Sequence, residues 1–222
     1  MRLARVVVPG YPHHVTQRGN RCADVFFDRN DRRVYLSLLK QYADTYGLSV
    51  WAYCLMTNHV HFVVVPEAEE TMACTFRDAH QAYAVYQNQR QCETGHFWQG
   101  RFFSCPLDEV HQWTAVRYVE QNPVRAGIVS RAEEYEWSSA AAHCGLRENP
   151  ILAPDFPPPG EIPDWSAWLE VEDAAQVKVL RRRTQTGRPL GSEAFVDRLE
   201  AFLGRTLRPK KRGRRQTKKG DR

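Results

Sequence analysis

His59, His61 and Tyr118 combine residue type and spacing in a way that could do chemistry. His59-Val60-His61 opens an apolar run, Phe62-Val63-Val64-Val65. Side chains alternate across a strand, so the two imidazoles share one face while Val60 and Phe62 take the other. Neighbouring imidazoles on a stiff, β-branched strand can hold one divalent ion between them. Tyr118 lies in a stretch where Val110, Trp113, Val116 and Val119 or Glu120 follow the helical period, and it falls away from the Val110/Trp113 stripe. Asn122 follows four residues later and shares its face if the helix persists. Pro123 works against that persistence, because the residue before a proline avoids the α region. A phenol has an ordinary pKa of ~10 and becomes a nucleophile only when a base or a cation activates it. Each feature also has a plain reading, since helix tyrosines and His-x-His pairs more often pack than react.

The elements that must position these residues are legible from periodicity. Tyr11 to Arg18 reads as a strand with His14, Thr16 and Arg18 on one face and Val15 and Gln17 on the other, ended by Gly19-Asn20. Tyr35, Leu38, Leu39, Tyr42 and Tyr46 recur at helical spacing, predicting a helix over 30–47 closed by Gly47. Leu48 to Met56 and His59 to Val65 form a hairpin across Thr57-Asn58, stopped by Pro66. Thr71 can cap a second helix to about Gln89, with Met72, Phe76, Ala79, Tyr83 and Tyr86 on its buried side. Gly95 to Pro106 is aromatic and basic, with a strand over Arg101 to Cys105; its rings can stack bases or simply pack. A third helix is predicted over 108–122. The order β-α-β-β-α-β plus a helix predicts an α+β, ferredoxin-like split βαβ fold, an antiparallel sheet with helices on one face.

The texture changes beyond Leu146. Six of the thirteen prolines lie between Asn149 and Pro163, which reads as a linker or a strap over the surface. Trp165 to Arg183 reads as a helix, and Ser192 caps a short one with Phe195, Leu199, Phe202 and Leu203 on one side and Gly204 at its end. This divides the chain into a body over 1–145, a proline-rich linker with a helix over 146–186, and an amphipathic helix with a basic tail over 187–222. The tail from Arg205 holds ten Lys or Arg and one Asp, so it carries +9 of a net +5 and leaves −4 on the rest. A basic tail on a mildly acidic body points to a polyanionic partner. No apolar run approaches the ~18 residues of a membrane span, and no signal-peptide pattern opens the sequence. The six cysteines are scattered, and Cys92-x-x-x-His96 stands alone, so reduced thiols are expected in a cytoplasmic, nucleoid-associated protein.

Four motifs stand in order: Tyr-Pro-His-His-Val-Thr-Gln-Arg-Gly-Asn, Met-Thr-Asn-His-Val-His, Phe-Trp-Gln-Gly-Arg-Phe and Tyr-Val-Glu-Gln-Asn-Pro-Val-Arg-Ala-Gly. Together they resemble the single-tyrosine HUH transposases, and within them the REP-associated tyrosine transposases. The resemblance implies an enzyme that nicks and rejoins single-stranded or hairpin DNA of the REP palindrome type through a 5′-phosphotyrosine. It implies Tyr118 as nucleophile and His59 and His61 as ligands of Mg²⁺ or Mn²⁺. Related insertion-sequence enzymes place a Gln four residues after the tyrosine as a further ligand; here Asn122 stands there, with Gln121 and Glu120 as alternatives. His14, Arg18, Arg101 and the tail residues Lys210, Lys211, Arg212, Arg214 and Arg215 are then candidate DNA contacts. The resemblance favours a monomer acting in cis, a dimer being the alternative. A hairpin-binding regulator without chemistry, or a replication initiator or relaxase, are the competing readings; the chain carries no Walker motif to support an initiator's helicase.

Overall fold

The computed structural model describes residues 5–158, 160–171 and 173–208. Four strands, β1 (His13–Arg18), β2 (Leu48–Met56), β3 (His59–Pro66) and β4 (Phe103–Pro106), form one sheet in the order β2-β3-β1-β4. All three pairings are antiparallel. With helices α1 (Arg29–Tyr46) and α2 (Thr71–Gln91) in the two crossovers, this is the expected split βαβ layout.

Local chemistry accounts for the boundaries. Asp28 and Asp31 cap α1 reciprocally, and Gly47 ends it with a left-handed φ of 71°. A side chain at Gly47 would also press on Glu67, whose carboxylate end would have to move aside. Thr71 is the first residue of α2 rather than its cap; its Oγ1 accepts from Ala68 N at 3.1 Å and donates to Tyr46 O at 2.9 Å. β4 begins at Phe103, two residues later than the sequence indicates, and in the loop ahead of it Gln99 N bonds Arg18 O at 2.9 Å.

The sheet is covered on both faces, which differs from the one-sided covering expected. Val15, Val60, Phe62 and Val64 face α1 and α2, packing on Tyr35, Leu39, Met72, Phe76 and Tyr83. The other face presents Ala52, Cys54, Met56, Val63 and Cys105 to α3 (His111–Glu120). A bulge at Trp51 shifts the register of β2 between Val50 and Ala52, so that Val50 and Tyr53 both face the α1 and α2 side. α3 is shorter than predicted, and Val110 is 69% exposed just ahead of it. Pro123 does not unwind the chain: the one-turn α4 (Asn122–Arg125) follows directly, with Gln121 N still bonded to Arg117 O at 2.9 Å.

After the short α5 (Ala140–His143), the proline-rich stretch is a strap. Its Phe156 stacks on Trp51 at 4.3 Å and on Trp113 at 5.4 Å. The single helix predicted over 165–183 is two, α6 (Trp165–Glu170) and α7 (Ala174–Thr186), the second capped by Asp173. Leu180 and Thr184 bury α7 against the α3 side of the sheet. α8 (Glu193–Leu203) packs Phe195 and Leu199 on Val6 and Val8, whereas Phe202, expected on the same side, is exposed. Arg208 folds back onto α8, paired with Glu193, Asp197 and Glu200 at 2.8, 2.6 and 2.5 Å.

Candidate functional site

The antiparallel register sets the histidines. His59 lies opposite Arg18 and His61 opposite Thr16, while His14 lies opposite Val63 on β3 and Cys105 on β4. His14 and His61 are therefore diagonal neighbours on one face, within reach of long side chains. Their rings stack at 5.3 Å, and His14 Nε2 meets His61 Nδ1 at 3.1 Å. His59 stands edge-on to His61, centroids 5.0 Å apart. Asn58 Nδ2 donates to Cys22 O at 3.1 Å, which turns its Oδ1 toward His59 Nδ1 at 2.6 Å. An amide oxygen only accepts, so His59 carries its proton on Nδ1 and keeps a lone pair on Nε2. Burial lowers the pKa of His14 to about 3 and, helped by the charges of Arg18 and Arg181, that of His59 to about 4. Burial and the two neighbouring imidazoles push His61 well below its ordinary value. The three rings are neutral at physiological pH, the form that ligates metals.

Tyr118 stands over this pair. It is only 4% exposed, and its ring is edge-on to His14 at 5.4 Å and to His61 at 5.3 Å. Arg181 of α7 donates from Nε to the phenol oxygen at 3.2 Å. Arg125 lies over the phenol ring, its Cζ 4.4 Å from the centroid, and donates from Nη2 to Tyr118 O. The histidines and Tyr118 wall an open cleft of about 750 Å³, shared with Arg18, Gln99, Asn122, Arg125 and Arg181. Among the described residues no Asp or Glu lines it, so the cleft suits an anion.

The helical face of Tyr118 and Asn122 survives the proline. Asn122 Nδ2 donates to Tyr118 O at 3.1 Å, which leaves its Oδ1 the atom available to a ligand. The two alternatives to Asn122 are spent elsewhere. Glu120 is fully buried on the opposite side of α3, accepting from Ser139 Oγ, from His143 Nδ1 at 2.6 Å and from Trp165 Nε1 at 2.7 Å. Gln121 donates to Leu169 O and lines a separate pocket. Among the described residues no group of three His, Cys, Asp or Glu is arranged to hold a metal. A divalent ion here would therefore rest on His59, His61 and the amide oxygen of Asn122. This donor set fits: two neutral imidazoles with lone pairs and one neutral oxygen leave the ion's charge to attract phosphate.

The predicted DNA contacts fare unequally. Arg18 lines the cleft, and its Nη1 reaches Cys22 Sγ at 3.8 Å. Arg101 is exposed beside a smaller pocket with Arg5, Gln185 and Gly187. His14 is 1% exposed with both ring nitrogens engaged, Nδ1 on Thr184 Oγ1 at 2.7 Å and Nε2 on His61. Its ring thus has no nitrogen to offer DNA, contrary to expectation. Lys210, Lys211, Arg212, Arg214 and Arg215 lie outside the described residues. The aromatic loop packs inward: Trp98 donates to His80 O at 3.0 Å and Phe102 contacts Phe76 at 4.9 Å. Sequence reasoning missed Arg125, Arg181 and Thr184. Arg125 sits inside the fourth motif, four residues after Gln121, and could have been found; α7 reaches the site from more than sixty positions away, and its run Arg181-Arg182-Arg183 gave no sign of a link to the tyrosine.

The sequence profile described as "Transposase IS200 like" matches residues 8–122. No curated protein sequence matches the chain significantly. Among solved structures, a REP-associated tyrosine transposase bound to a REP hairpin shares 18% identity and superposes with a TM-score of 0.55, covering 70% of this chain and 92% of that one. A protein from Deinococcus radiodurans R1, described as a transposase, matches at 16% identity and a TM-score of 0.38, covering 55% of this chain and 97% of its own. The first of these shares the fold. The profile match takes in β1 through α3 together with both histidines and the tyrosine, and the chain belongs to the IS200-like transposase family.

Proposed function

We propose that this protein cleaves and rejoins single-stranded DNA beside REP-type palindromic hairpins, with Tyr118 as nucleophile and its own histidines beneath. The observation that carries the reading is the phenol of Tyr118, set edge-on to His61 at 5.3 Å in an arginine-lined cleft. A phosphodiester is anionic and repels nucleophiles, so a cleft that takes it up must supply positive charge. Arg18, Arg125 and Arg181 do so, and Arg181 aims the phenol oxygen. Tyr118 Oη attacks phosphorus, forming the Oη–P bond as the P–O3′ bond breaks. The 3′-oxygen leaves as a hydroxyl, taking up the proton the phenol gives to solvent, and the 5′-phosphate stays on the tyrosine. Bond energy is retained, so a second 3′-OH can reverse the step and join strands without ATP. Mg²⁺ or Mn²⁺, held by His59, His61 and Asn122, would supply charge neutralisation at a non-bridging oxygen. A relative of the same fold was solved with a REP hairpin, which makes such hairpins the first substrates to try.

The test incubates the protein with a labelled REP-type hairpin carrying a single-stranded tail, with Mn²⁺, and resolves covalent adducts under denaturing conditions. An adduct that disappears in Tyr118→Phe, and is not restored by mixing that variant with His61→Ala, supports cleavage in cis. Restoration on mixing points to a dimer that exchanges the tyrosine. Tight hairpin binding without any adduct reassigns the protein as a non-catalytic binder.

A further inference from the structure

His61 must present a lone pair from Nε2 if it is to bind a metal, and a neutral imidazole does so only when its proton sits on Nδ1. Nothing local to β3 secures this. The partner of His61 Nδ1 is His14 Nε2, itself a ring nitrogen that could act either way. The ambiguity passes along His14 to its Nδ1, which meets Thr184 Oγ1 at 2.7 Å. Thr184 belongs to α7, outside the segment matched by the family profile, and is 1% exposed.

The hydroxyl of Thr184 resolves the direction. It has one proton to give and two lone pairs to receive with. It reaches Leu180 O at 3.0 Å and Cys105 Sγ at 3.3 Å, besides His14. A carbonyl can only accept, so the hydroxyl proton goes to Leu180. Burial raises the Cys105 thiol to about 12, so the sulfur keeps its hydrogen and can donate it. His14 must then donate from Nδ1. With its proton there, its Nε2 is an acceptor, and His61 donates to it from Nδ1. Were the chain of donors reversed, Thr184 and Leu180 would meet oxygen to oxygen with no hydrogen between them, and His61 Nε2 would carry a proton into the cleft.

We propose that Thr184 and His14 are positioning residues, a relay Leu180 O–Thr184–His14–His61 that locks the metal-competent tautomer of His61 and makes the docking of α7 a condition for metal binding. The inference rests on the metal reading above, and its first readout is independent of it. Long-range ¹⁵N–¹H spectra of metal-free, full-length protein report which ring nitrogen is protonated. The expected pattern is Nδ1–H for both His14 and His61; Nε2–H at His61 overturns the relay. The second readout is Mn²⁺ binding, followed by the loss of the free-ion electron paramagnetic resonance signal with no DNA present. Partners of this kind typically change metal affinity about ten- to a hundredfold. Thr184→Val, which keeps shape and removes the hydroxyl, should weaken Mn²⁺ binding by about that factor, and Thr184→Ser should bind like the parent. A Thr184→Val protein that binds Mn²⁺ as tightly as the parent overturns the proposal, as does a Thr184→Ser protein that binds as weakly as Thr184→Val. Should Thr184→Val fail to fold, the parent spectrum and the Ser variant still decide. A parent that binds no Mn²⁺ but shows the expected tautomers refutes the metal reading while leaving the lock standing, so the two failures are distinct.

Discussion

Replacing Arg181 by alanine should slow covalent adduct formation without unfolding the protein. Arg181 Nε donates to the Tyr118 oxygen at 3.2 Å, a charged hydrogen bond to the atom that attacks phosphorus. Such bonds contribute about 1.5–3 kcal/mol when shielded. Arg181 is exposed at the cleft mouth, so solvent and salt screen it and the contribution falls below that range, to about 1 kcal/mol. With each 1.36 kcal/mol of barrier worth about tenfold in rate, Arg181→Ala should react about fivefold more slowly. Arg181→Lys should recover part of the loss, since it restores charge but not the position of the guanidinium N–H. The assay is a single turnover with labelled hairpin in excess protein, so that weaker binding does not masquerade as slower chemistry. The defect should shrink as salt rises. A thermal melt matching the parent guards against unfolding, because the side chain contributes to no buried cluster. If Arg181→Ala reacts within twofold of the parent at low salt, the contact seen here does not serve the reaction.

Three further outcomes are expected. Glu120 is the common acceptor for Ser139, His143 and Trp165, so Glu120→Ala strands three buried donors and should cost about 3–5 kcal/mol in urea unfolding; a loss under 1 kcal/mol refutes the hub. Burial lowers His80 to about 3 and His13 to about 4, from 6.5 in the unfolded chain. Below pH 6.5 the unfolded chain takes up protons the folded one refuses, so stability present above that pH is lost on acidification down to those values, by about 1.4 kcal/mol per pH unit for each histidine. His80→Gln should flatten the curve of stability against pH by one such increment, and an unchanged slope argues against it. Residues 209–222 hold eight Lys or Arg, and removing them should make DNA binding less salt-dependent, the slope of log K against log salt falling by up to about 6. The cut belongs at 209 because Leu207 is buried and Arg208 is paired to α8; a slope that does not change excludes the tail as a phosphate contact.

Local pattern was enough to determine the sheet, its order of elements and the pair His59 and His61, because a period of two and a period of 3.6 are written into consecutive residues. The spacing that sets Tyr118 off the Val110/Trp113 stripe did not foresee its burial, since it packs in one cluster with Val116 and Val119 while Val110 is exposed. Whether Asn122 shares the tyrosine's face was open until the bond from its Nδ2 to Tyr118 O showed the helix carried through Pro123. Tertiary packing alone decided that Glu120 turns inward to Trp165, that the proline-rich stretch is a strap, and that α3 covers a second face of the sheet. It also decided that His14 spends both nitrogens inside the protein rather than on DNA. Thr184 had no signature in the sequence, and Arg181 showed only as the first of three arginines ending a helix, with nothing to tie it to the tyrosine. Their roles come from the docking of α7, where Leu180 buries against the sheet face, and such non-local contacts depend on how distant surfaces fit rather than on any spacing along the chain.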